Sequence, residues 1–195
     1  MTAAALLDAA ERIVDTEGMH RLSTRSVAAA VGTTTRAVYS VFGSKDGLIA
    51  ALGARGFDFL RTTLEGLPET EDPAADLVDA GVEVFRRFVV EHPSLFAIGV
   101  QRTLTPPEAA AAFRDSAARA MAVLTERVAR LETPGLLGGR PVVEARLAFH
   151  ALCQGLAEME LRGFLPAGRE DQVWRAALGA VVAGFAVSRG SPSRS

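Results

Sequence analysis

The sequence of 195 residues contains a single cysteine, Cys153, and a single lysine, Lys45. One cysteine excludes an internal disulfide and indicates a reducing, cytoplasmic setting. No apolar run reaches the roughly 18 residues that a membrane-spanning helix needs, so no membrane partner is expected, and the longest run, residues 176–187, predicts a buried helix. The N-terminus lacks a basic leader, so no signal peptide is expected.

Sequence patterns of catalytic and metal sites are also missing. The three histidines, His20, His92 and His150, lie far apart in the chain and do not form an H-E-x-x-H motif. No G-x-G-x-x-G follows a strand, and no phosphate-binding G-x-x-x-x-G-K-[ST] occurs. We therefore expect no enzymatic activity, no catalytic residue, no cofactor and no metal site.

The residues that are present favour an all-α protein. Hydrophobic residues make up 49% of the chain and charged residues 23%, which is typical of a folded globular protein. Helical periodicity dominates and no strand alternation precedes a hairpin turn, which predicts about nine helices. The expected organisation is a three-helix N-terminal domain at residues 1–48, a larger helical body at 49–190, and a disordered tail at 191–195.

Glycine, proline and capping residues place the predicted helix ends. The first three helices end at Gly18, Gly32 and Gly43, and a fourth begins after Ser44 and ends near Gly66. In the body, proline-bearing breaks separate longer helices. Their predicted bounds are 73–91, 93–102, 106–131, 142–162 and 169–189.

Charge is unevenly distributed, although the net charge is only −2. Residues 20–45 contain no aspartate or glutamate but include Arg21, Arg25, Arg36 and Lys45. A locally basic surface on an otherwise acidic chain is typical of a module that contacts phosphates with one face.

The third predicted helix has the composition of a helix that enters the major groove. Short side chains allow close approach to the bases, and a few polar groups can reach base edges. Arg36 is expected to make a bidentate contact to guanine, and Ala37 to contact a thymine methyl. The residues predicted to face DNA are Thr34, Thr35, Arg36, Ala37, Tyr39 and Ser40. The residues predicted to anchor the helix to the core are Val38, Val41 and Phe42.

Three further residues are predicted to contact phosphates. Thr24 and Arg25 lie at the start of the second helix, where side chains and backbone amides can act together. Lys45 opens the fourth helix and is expected to contact the phosphate on the far side of the groove.

The run from Leu6 to Leu52 resembles the N-terminal domain of the tetracycline-repressor (TetR) family of transcriptional regulators. The most specific element of the resemblance is the pattern Tyr39-x-x-Phe42-x-Ser44-Lys45, which joins the third helix to the fourth. The other matching residues are Leu6-Leu7-Asp8-Ala9-Ala10, Gly18, Ser23-Thr24-Arg25-Ser26-Val27-Ala28, Val31-Gly32, Ala37-Val38 and Leu48.

The resemblance implies an all-helical homodimer that binds a double-stranded DNA operator with two-fold symmetry. It implies base contacts by Thr35, Arg36, Ala37 and Tyr39, and phosphate contacts by Thr24, Arg25, Ser40 and Lys45. Two residues depart from the family pattern, since Gly43 replaces a common proline and Gly47 replaces an acidic residue or alanine. Both glycines are expected to loosen the start of the fourth helix.

In the body, a final helix that is apolar nearly all round is expected to be buried on several sides. The last two helices predict a dimer interface, and an internal core helix is the alternative. The residues predicted for the interface are Leu156, Trp174, Leu178, Val181, Val182 and Phe185.

Aromatic residues in the middle helices predict an apolar effector pocket with a few polar groups. An ordinary helical core is the alternative. The residues predicted for the pocket are Phe85, Phe88, Val89, Phe96, Phe113, Phe149 and Cys153.

Taken together, the sequence predicts that residues 1–48 form a helix-turn-helix DNA-binding domain and residues 49–190 an effector-binding and dimerisation domain. The protein is expected to be a homodimeric repressor that an unidentified small apolar effector releases from its palindromic operator. The alternative is a helical adaptor whose N-terminal domain binds protein instead of DNA.

Overall fold

The structure, a computed structural model, describes residues 2–101 and 107–187. Within these ranges it contains nine helices and no strand, which confirms the predicted all-α fold. The helices are α1 (Ala3–Glu17), α2 (Thr24–Ala30), α3 (Thr35–Phe42), α4 (Lys45–Gly66), α5 (73–91), α6 (Pro93–Gln101), α7 (Pro107–Ala129), α8 (Val142–Leu161) and α9 (Glu170–Phe185). The predicted tail, 191–195, and the predicted end of the last helix, 188–189, lie outside the described residues. None of the described helices has the length and apolarity needed to cross a membrane.

Side-chain caps and glycines define the ends of the short N-terminal helices. The Ser23 hydroxyl accepts from the Ser26 amide at 3.0 Å, and the Ser26 hydroxyl accepts from the Ser23 amide at 3.0 Å. This reciprocal capping box satisfies two amide groups at the start of α2. The Thr34 hydroxyl caps α3 in the same way, by accepting from the Ala37 amide at 3.2 Å.

Helix α5 changes its hydrogen-bonding pattern along its length. It begins as an α-helix at Pro73–Asp79, continues as a π-helix over Ala80–Arg86, and returns to an α-helix at Arg87–Glu91. The wider π turn rotates the following side chains relative to a regular α-helix. Gly81 lies in this segment, and a Cβ there would be 2.3 Å from Leu178 Cδ1, so a larger residue would displace the Leu178 side chain where α5 approaches α9.

The chain divides into two compact units, each with its own core. Unit one comprises the described residues of Met1–Leu60 and Glu91–Ala120, and unit two those of Arg61–Val90 and Met121–Ser195. These units do not follow the predicted boundary at residue 48, which separates a DNA-binding domain from the body and stays a prediction.

In unit one, polar contacts join α1 to α4 and to His92, the residue before α6. Arg55 Nη1 lies 2.5 Å from Asp8 Oδ1, and His92 Nδ1 lies 2.8 Å from Glu11 Oε1. The core beneath them is apolar, and its side chains at Leu6, Val27, Val38 and Leu48 are each at most 1% exposed. Helix α1 is therefore fixed both by burial and by side-chain pairs to α4 and to His92.

In unit two, α5, α8 and α9 pack around Trp174, which is fully buried. Its indole Nε1 donates to Glu160 Oε2 at 2.7 Å, and Arg86 Nη2 donates to Glu160 Oε1 at 2.8 Å. One carboxylate therefore links all three helices.

The residues predicted for the dimer interface belong mostly to this core. A side chain that its own subunit buries has almost no surface left to bury against a second copy. The structure thus corrects the prediction for these residues toward its alternative, an internal core helix. At most 5% of the surface is exposed at Leu156, Trp174, Leu178, Val182 and Phe185, whereas Val181 is half-buried.

Candidate nucleic-acid interface

The turn between α2 and α3 is built by local backbone hydrogen bonds. The Thr33 amide donates to the Ala28 carbonyl at 2.9 Å, and Gly32 adopts a φ of +67° that favours glycine. Val27 and Ala28 of α2 and Val38 of α3 are buried, so the two helices share one small core. This core fixes which face of α3 points outward.

Most of α3 is accessible. Val38 is its only fully buried residue, and Tyr39 is 50% exposed although it is a large aromatic. Ala37 is half-buried on the flank of the helix. The remaining residues predicted to face DNA are exposed at Thr34, Thr35, Arg36 and Ser40. The structure therefore brings the predicted residues together on one accessible surface.

One predicted anchor of α3 is wrong. Val41 is 45% exposed, whereas Phe42 is half-buried and Val38 is fully buried. In a helix, Val41 lies three residues and about 300° beyond Val38. This is about 60° to one side of Val38, so helical spacing alone puts Val41 near the buried face, and its exposure shows that no neighbouring element among the described residues covers this edge of the helix.

The cations of this region differ in how they are paired. Arg21 Nε lies 3.2 Å from Glu17 Oε2, which partly neutralises its charge. Arg25, Arg36 and Lys45 are exposed and have no ion pair among the described residues. Three unpaired cations near an exposed helix are suited to binding an anion such as the DNA backbone.

Of the residues predicted to contact phosphate, Thr24 offers the least surface. It is 8% exposed, whereas its neighbour Arg25 is exposed. At this end of α2, the predicted phosphate contact therefore depends chiefly on Arg25.

Lys45 is positioned by a compact turn between α3 and α4. Gly43 ends α3 with a φ of +70°, and the Ser44 hydroxyl accepts from the Gly47 amide at 2.9 Å. A Cβ on Gly47 would lie 1.9 Å from the Phe42 carbonyl oxygen. A glycine is therefore required there, because the end of α3 and the first turn of α4 approach without room for a side chain.

The residues predicted for an effector pocket are distributed over both units. Phe96 and Phe113 belong to unit one, where Phe96 is buried and Phe113 is half-buried. Phe85 of unit two is half-buried, with its ring centroid 5.8 Å from that of His150. The other residues lie in the core of unit two at Phe88, Val89, Phe149 and Cys153. The prediction that these seven residues line one effector cavity stays a prediction.

The thiol of Cys153 is buried in the core of unit two. Burial raises the pKa of the Cys153 thiol to about 12. It is therefore protonated at neutral pH and contributes neither charge nor nucleophile to this core.

An apolar groove of about 380 Å³ lies on unit two, between the start of α5, the loop after α7, and α9. Small side chains dominate its walls, which are formed by Ala74, Ala75, Val78, Leu136, Gly179, Val182, Ala183 and Ala186. The sequence pattern did not predict this groove, because its walls come from segments up to about 100 residues apart.

Sequence reasoning also did not single out Arg146 and Gln154, which lie in a row with His150 on α8. Arg146, His150 and Gln154 recur every four residues, which places them on one flank of the helix. This spacing was the available signal. In the described part of the chain, no group of three or more His, Cys, Asp or Glu side chains could hold a metal ion.

Two family models match the chain. The model described as bacterial regulatory proteins, tetR family, matches residues 6–52, and that described as tetracyclin repressor-like, C-terminal domain, matches residues 78–181. The first contains all of the residues predicted to contact DNA. A comparison with curated proteins found no match.

Solved structures share the fold over nearly the full length. A protein of unknown function from Rhodococcus sp. RHA1 is 24% identical, with a TM-score of 0.83 over 94% of this chain and 95% of that one. The TetR-family regulator PfmR from Thermus thermophilus is 23% identical, with a TM-score of 0.69 over 91% and 96%. FadR from Bacillus subtilis, solved in complex with stearoyl-CoA, is 13% identical, with a TM-score of 0.76 over 94% and 99%.

Proposed function

The chain belongs to the TetR family of DNA-binding transcriptional regulators, and on that premise we propose that it is a homodimeric repressor released from its operator by a small effector. Family members are transcription factors without catalytic activity, so the prediction that the chain is not an enzyme is confirmed. We place its action on DNA in the cytoplasm.

The observation that carries the proposal is the exposed surface of α3 together with three cations that have no ion pair among the described residues, Arg36 on α3 itself and Arg25 and Lys45 on the neighbouring helices. Arg36 and Tyr39 are exposed on a helix whose inner face is held by Val38, so they are free to enter the major groove. Arg25 and Lys45 lie at the starts of α2 and α4, where we assign them to backbone phosphates on either side of the groove. Thr34, Thr35, Ala37 and Ser40 complete the proposed contact surface.

Two substitutions separate base reading from phosphate binding. Arg36→Ala removes a bidentate guanine contact, so affinity for the operator is expected to fall about 10- to 100-fold, with relaxed preference at one base pair. Lys45→Ala removes a phosphate contact, so affinity is expected to fall equally for all sequences, and the salt slope to decrease by about 1. Arg169→Ala, an exposed arginine of unit two, is the control.

The measurement is fluorescence anisotropy with an operator duplex selected from random DNA by the wild-type protein, at several salt concentrations. Identical, sequence-independent losses for Arg36→Ala and Lys45→Ala would contradict the assignment of Arg36 to base reading. Failure of the wild type to bind random DNA at low salt and to enrich any duplex in the selection would favour the protein-binding adaptor instead.

The exposed faces of α8 and α9 support the proposed homodimer. On α8, Val143 and Leu147 are each 53% exposed, and Ala151 and Gly155 continue this face at a spacing of four residues. On α9, small residues are exposed at Ala176, Ala180, Ala183 and Gly184. Small side chains allow two helices to approach closely, so we place the interface on these faces and not on the buried residues first predicted.

The groove on unit two adjoins the same face of α9, since Ala183 belongs to both. A second copy that packs on α9 would therefore also cover part of an apolar depression, which adds to the apolar area buried on association.

The proposed effector site lies in the body of the protein. Two solved structures with this fold contain small molecules, namely FadR with stearoyl-CoA and a TetR variant from Acinetobacter baumannii AYE with minocycline. By analogy, a ligand in the body would stabilise a form of the dimer whose two N-terminal domains no longer match the operator. The shift is limited by the difference in the ligand's affinity for the two forms.

A further inference from the structure

Three polar side chains on α8 form a cluster with two apolar neighbours inside unit two. Arg146 Nη1 lies 3.4 Å from the Met121 sulfur on α7, and the His150 ring packs edge-on against Phe85 of α5. Gln154 Nε2 lies 3.0 Å from His150 Nε2. Arg146, His150 and Gln154 therefore lie on the flank of α8 that contacts α5 and α7, and not on its exposed face.

Arg146 lacks the partner that a partly buried cation normally has. Its Nε is buried without a hydrogen-bond partner, and no carboxylate forms an ion pair with it among the described residues. The Met121 thioether is only a weak acceptor. Burying a cation without a counter-charge is unfavourable, so this guanidinium is a ready binding site for an anion.

Several other partly buried arginines of the same unit have a carboxylate partner. Arg86, Arg130 and Arg175 are paired with Glu160, Asp76 and Asp79 at 2.8, 2.5 and 2.6 Å respectively. Arg127 and Arg140 lack a carboxylate in the described ranges, but Arg127 donates to the backbone carbonyls of Leu64 and Leu67 at 2.7 Å, and Arg140 lies over the Phe185 ring. Arg146 has neither kind of partner, since its one hydrogen-bond contact among the described residues is with the Met121 sulfur.

His150 adds hydrogen-bonding capacity without adding charge. Burial, together with the nearby positive charge of Arg146, lowers the pKa of His150 below its usual value. A neutral ring can accept the Gln154 amide proton at Nε2 while Nδ1 carries a proton of its own. The cluster therefore carries one positive charge and additional neutral donors.

We propose that Arg146, assisted by His150 and Gln154, binds the carboxylate of an amphiphilic effector whose apolar part packs against Phe85 and Met121. A single positive charge matches a carboxylate, whereas a phosphate monoester would bring an unmatched second charge. Phe85, which lies in the π-helical segment of α5, packs edge-on against His150 and so places an apolar surface beside the polar cluster. This proposal rests on the effector response proposed above and specifies the chemical class of the effector.

The test compares decanoate with decanol, which have the same chain length and differ in the head group. By isothermal titration calorimetry, the wild type is expected to bind decanoate at least about 10-fold more tightly than decanol, since only the carboxylate gains a charge-assisted pair. In Arg146→Gln, decanoate affinity is expected to fall at least about 10-fold, while decanol affinity stays unchanged. Arg169→Gln, an exposed arginine of the same unit, is the matched control.

A second variant guards against the possibility that Arg146→Gln loses decanoate affinity only because it is misfolded. Arg146→Lys keeps the charge and is expected to retain part of the decanoate affinity, and thermal unfolding of both variants without ligand checks that they are folded. Equal decanoate affinity in the wild type and a folded Arg146→Gln would overturn the proposal, as would equal affinity of the wild type for both ligands.

The operator-binding assay shows whether a failure concerns the carboxylate site or the proposed regulatory function. Ligand-free Arg146→Gln is expected to bind the operator like the wild type, because the cluster lies outside the DNA-contacting helices. Failure of the ligand-free wild type to bind DNA would contradict the regulatory function alone. Decanoate binding that requires Arg146 would still support the carboxylate site.

Discussion

Gly47 shows how a single missing methyl group controls the position of the proposed recognition helix. A Cβ at this position would overlap the Phe42 carbonyl oxygen at 1.9 Å, and both groups belong to backbone that cannot rotate away. The sequence pattern marked this glycine as a source of looseness. The structure assigns it the opposite role, since it permits a close α3–α4 contact.

We predict that Gly47→Ala destabilises the protein by about 2 kcal/mol, the usual range for overpacking, and so lowers the melting temperature by about 4–8 °C. The measurement is thermal unfolding followed by circular dichroism. Gly66→Ala, at the other end of α4 and with open space around it, is the matched control and is expected to be neutral or slightly stabilising. Equal melting temperatures for the two variants would show that the α3–α4 contact accommodates a methyl group with no loss of stability.

Cys153 provides a second test at the scale of one residue. Because burial raises the pKa of its thiol to about 12, the thiolate fraction at about pH 8 is roughly 1,000-fold lower than for a free cysteine. We predict that a disulfide reagent such as DTNB reacts very slowly with the native protein and rapidly after unfolding in denaturant. Comparable rates in both states would mean that the core of unit two opens readily. Cys153→Ser supplies the blank.

At the scale of elements, one carboxylate ties the start of α5 to its surroundings. Asp76 is 6% exposed and accepts from the Thr70 amide at 2.8 Å, the Thr70 hydroxyl at 2.7 Å and Arg130 Nη1 at 2.5 Å. Burial alone would raise the pKa of Asp76, but these donors outweigh it and hold the pKa below the usual value. The loop before α5 is therefore held to the end of the α7 segment.

The lowered pKa determines how this contribution depends on pH. The stabilisation is complete above the unfolded-state value of about 3.9 and is lost as the pH falls through the lower folded-state pKa. We predict that Asp76→Asn costs about 3 kcal/mol at neutral pH, and that the difference from the wild type is smaller in acid, once the pH falls below the unfolded-state pKa. Denaturant unfolding at neutral and acid pH measures it, with the exposed Asp115→Asn as control. A difference that is constant with pH would exclude the ionised form as the source of stability.

Most helix bounds could be predicted because proline, glycine and capping hydroxyls act locally. Thr34 and Ser44 form the hydrogen bonds that their positions indicate, and Pro73 begins α5. The π-helical segment Ala80–Arg86 could not be predicted, since its side chains are compatible with a regular helix. Its backbone depends on packing between α5 and α9, which involves residues about 100 positions apart.

The candidate site was predictable to a similar degree and for a similar reason. The residues facing outward from α3 follow from helical spacing and from the position of Val38. Val41 was misassigned because a short helix of eight residues offers too few positions to define the edge of its apolar face. The buried residues of α9 were misassigned for the reverse reason, since a helix that is apolar all round gives no indication of which face meets another subunit.

At the scale of the whole molecule, DNA affinity is expected to depend on dimerisation. Two N-terminal domains joined in one dimer bind a two-fold operator with an effective concentration that separate subunits lack. We predict that Leu147→Asp on the exposed face of α8 yields monomers and lowers operator affinity at least about 100-fold. The control is Val90→Asp, which places the same charge at a site 51% exposed on α5.

Size-exclusion chromatography with light scattering gives the mass of each variant, and anisotropy gives its operator affinity. A Leu147→Asp protein that remains dimeric would move the interface away from the exposed face of α8. A monomer with undiminished affinity would mean that one N-terminal domain suffices for operator binding.

The exposure of helix α3 affects how this protein can evolve. Because Val38 is its only fully buried residue, nearly every other position can mutate with little effect on folding. Under the proposed reading of the operator by α3, new operator preferences can therefore arise by single substitutions without a compensating change elsewhere in the core. A gene duplicate of this regulator could acquire a different set of target promoters while keeping the same fold.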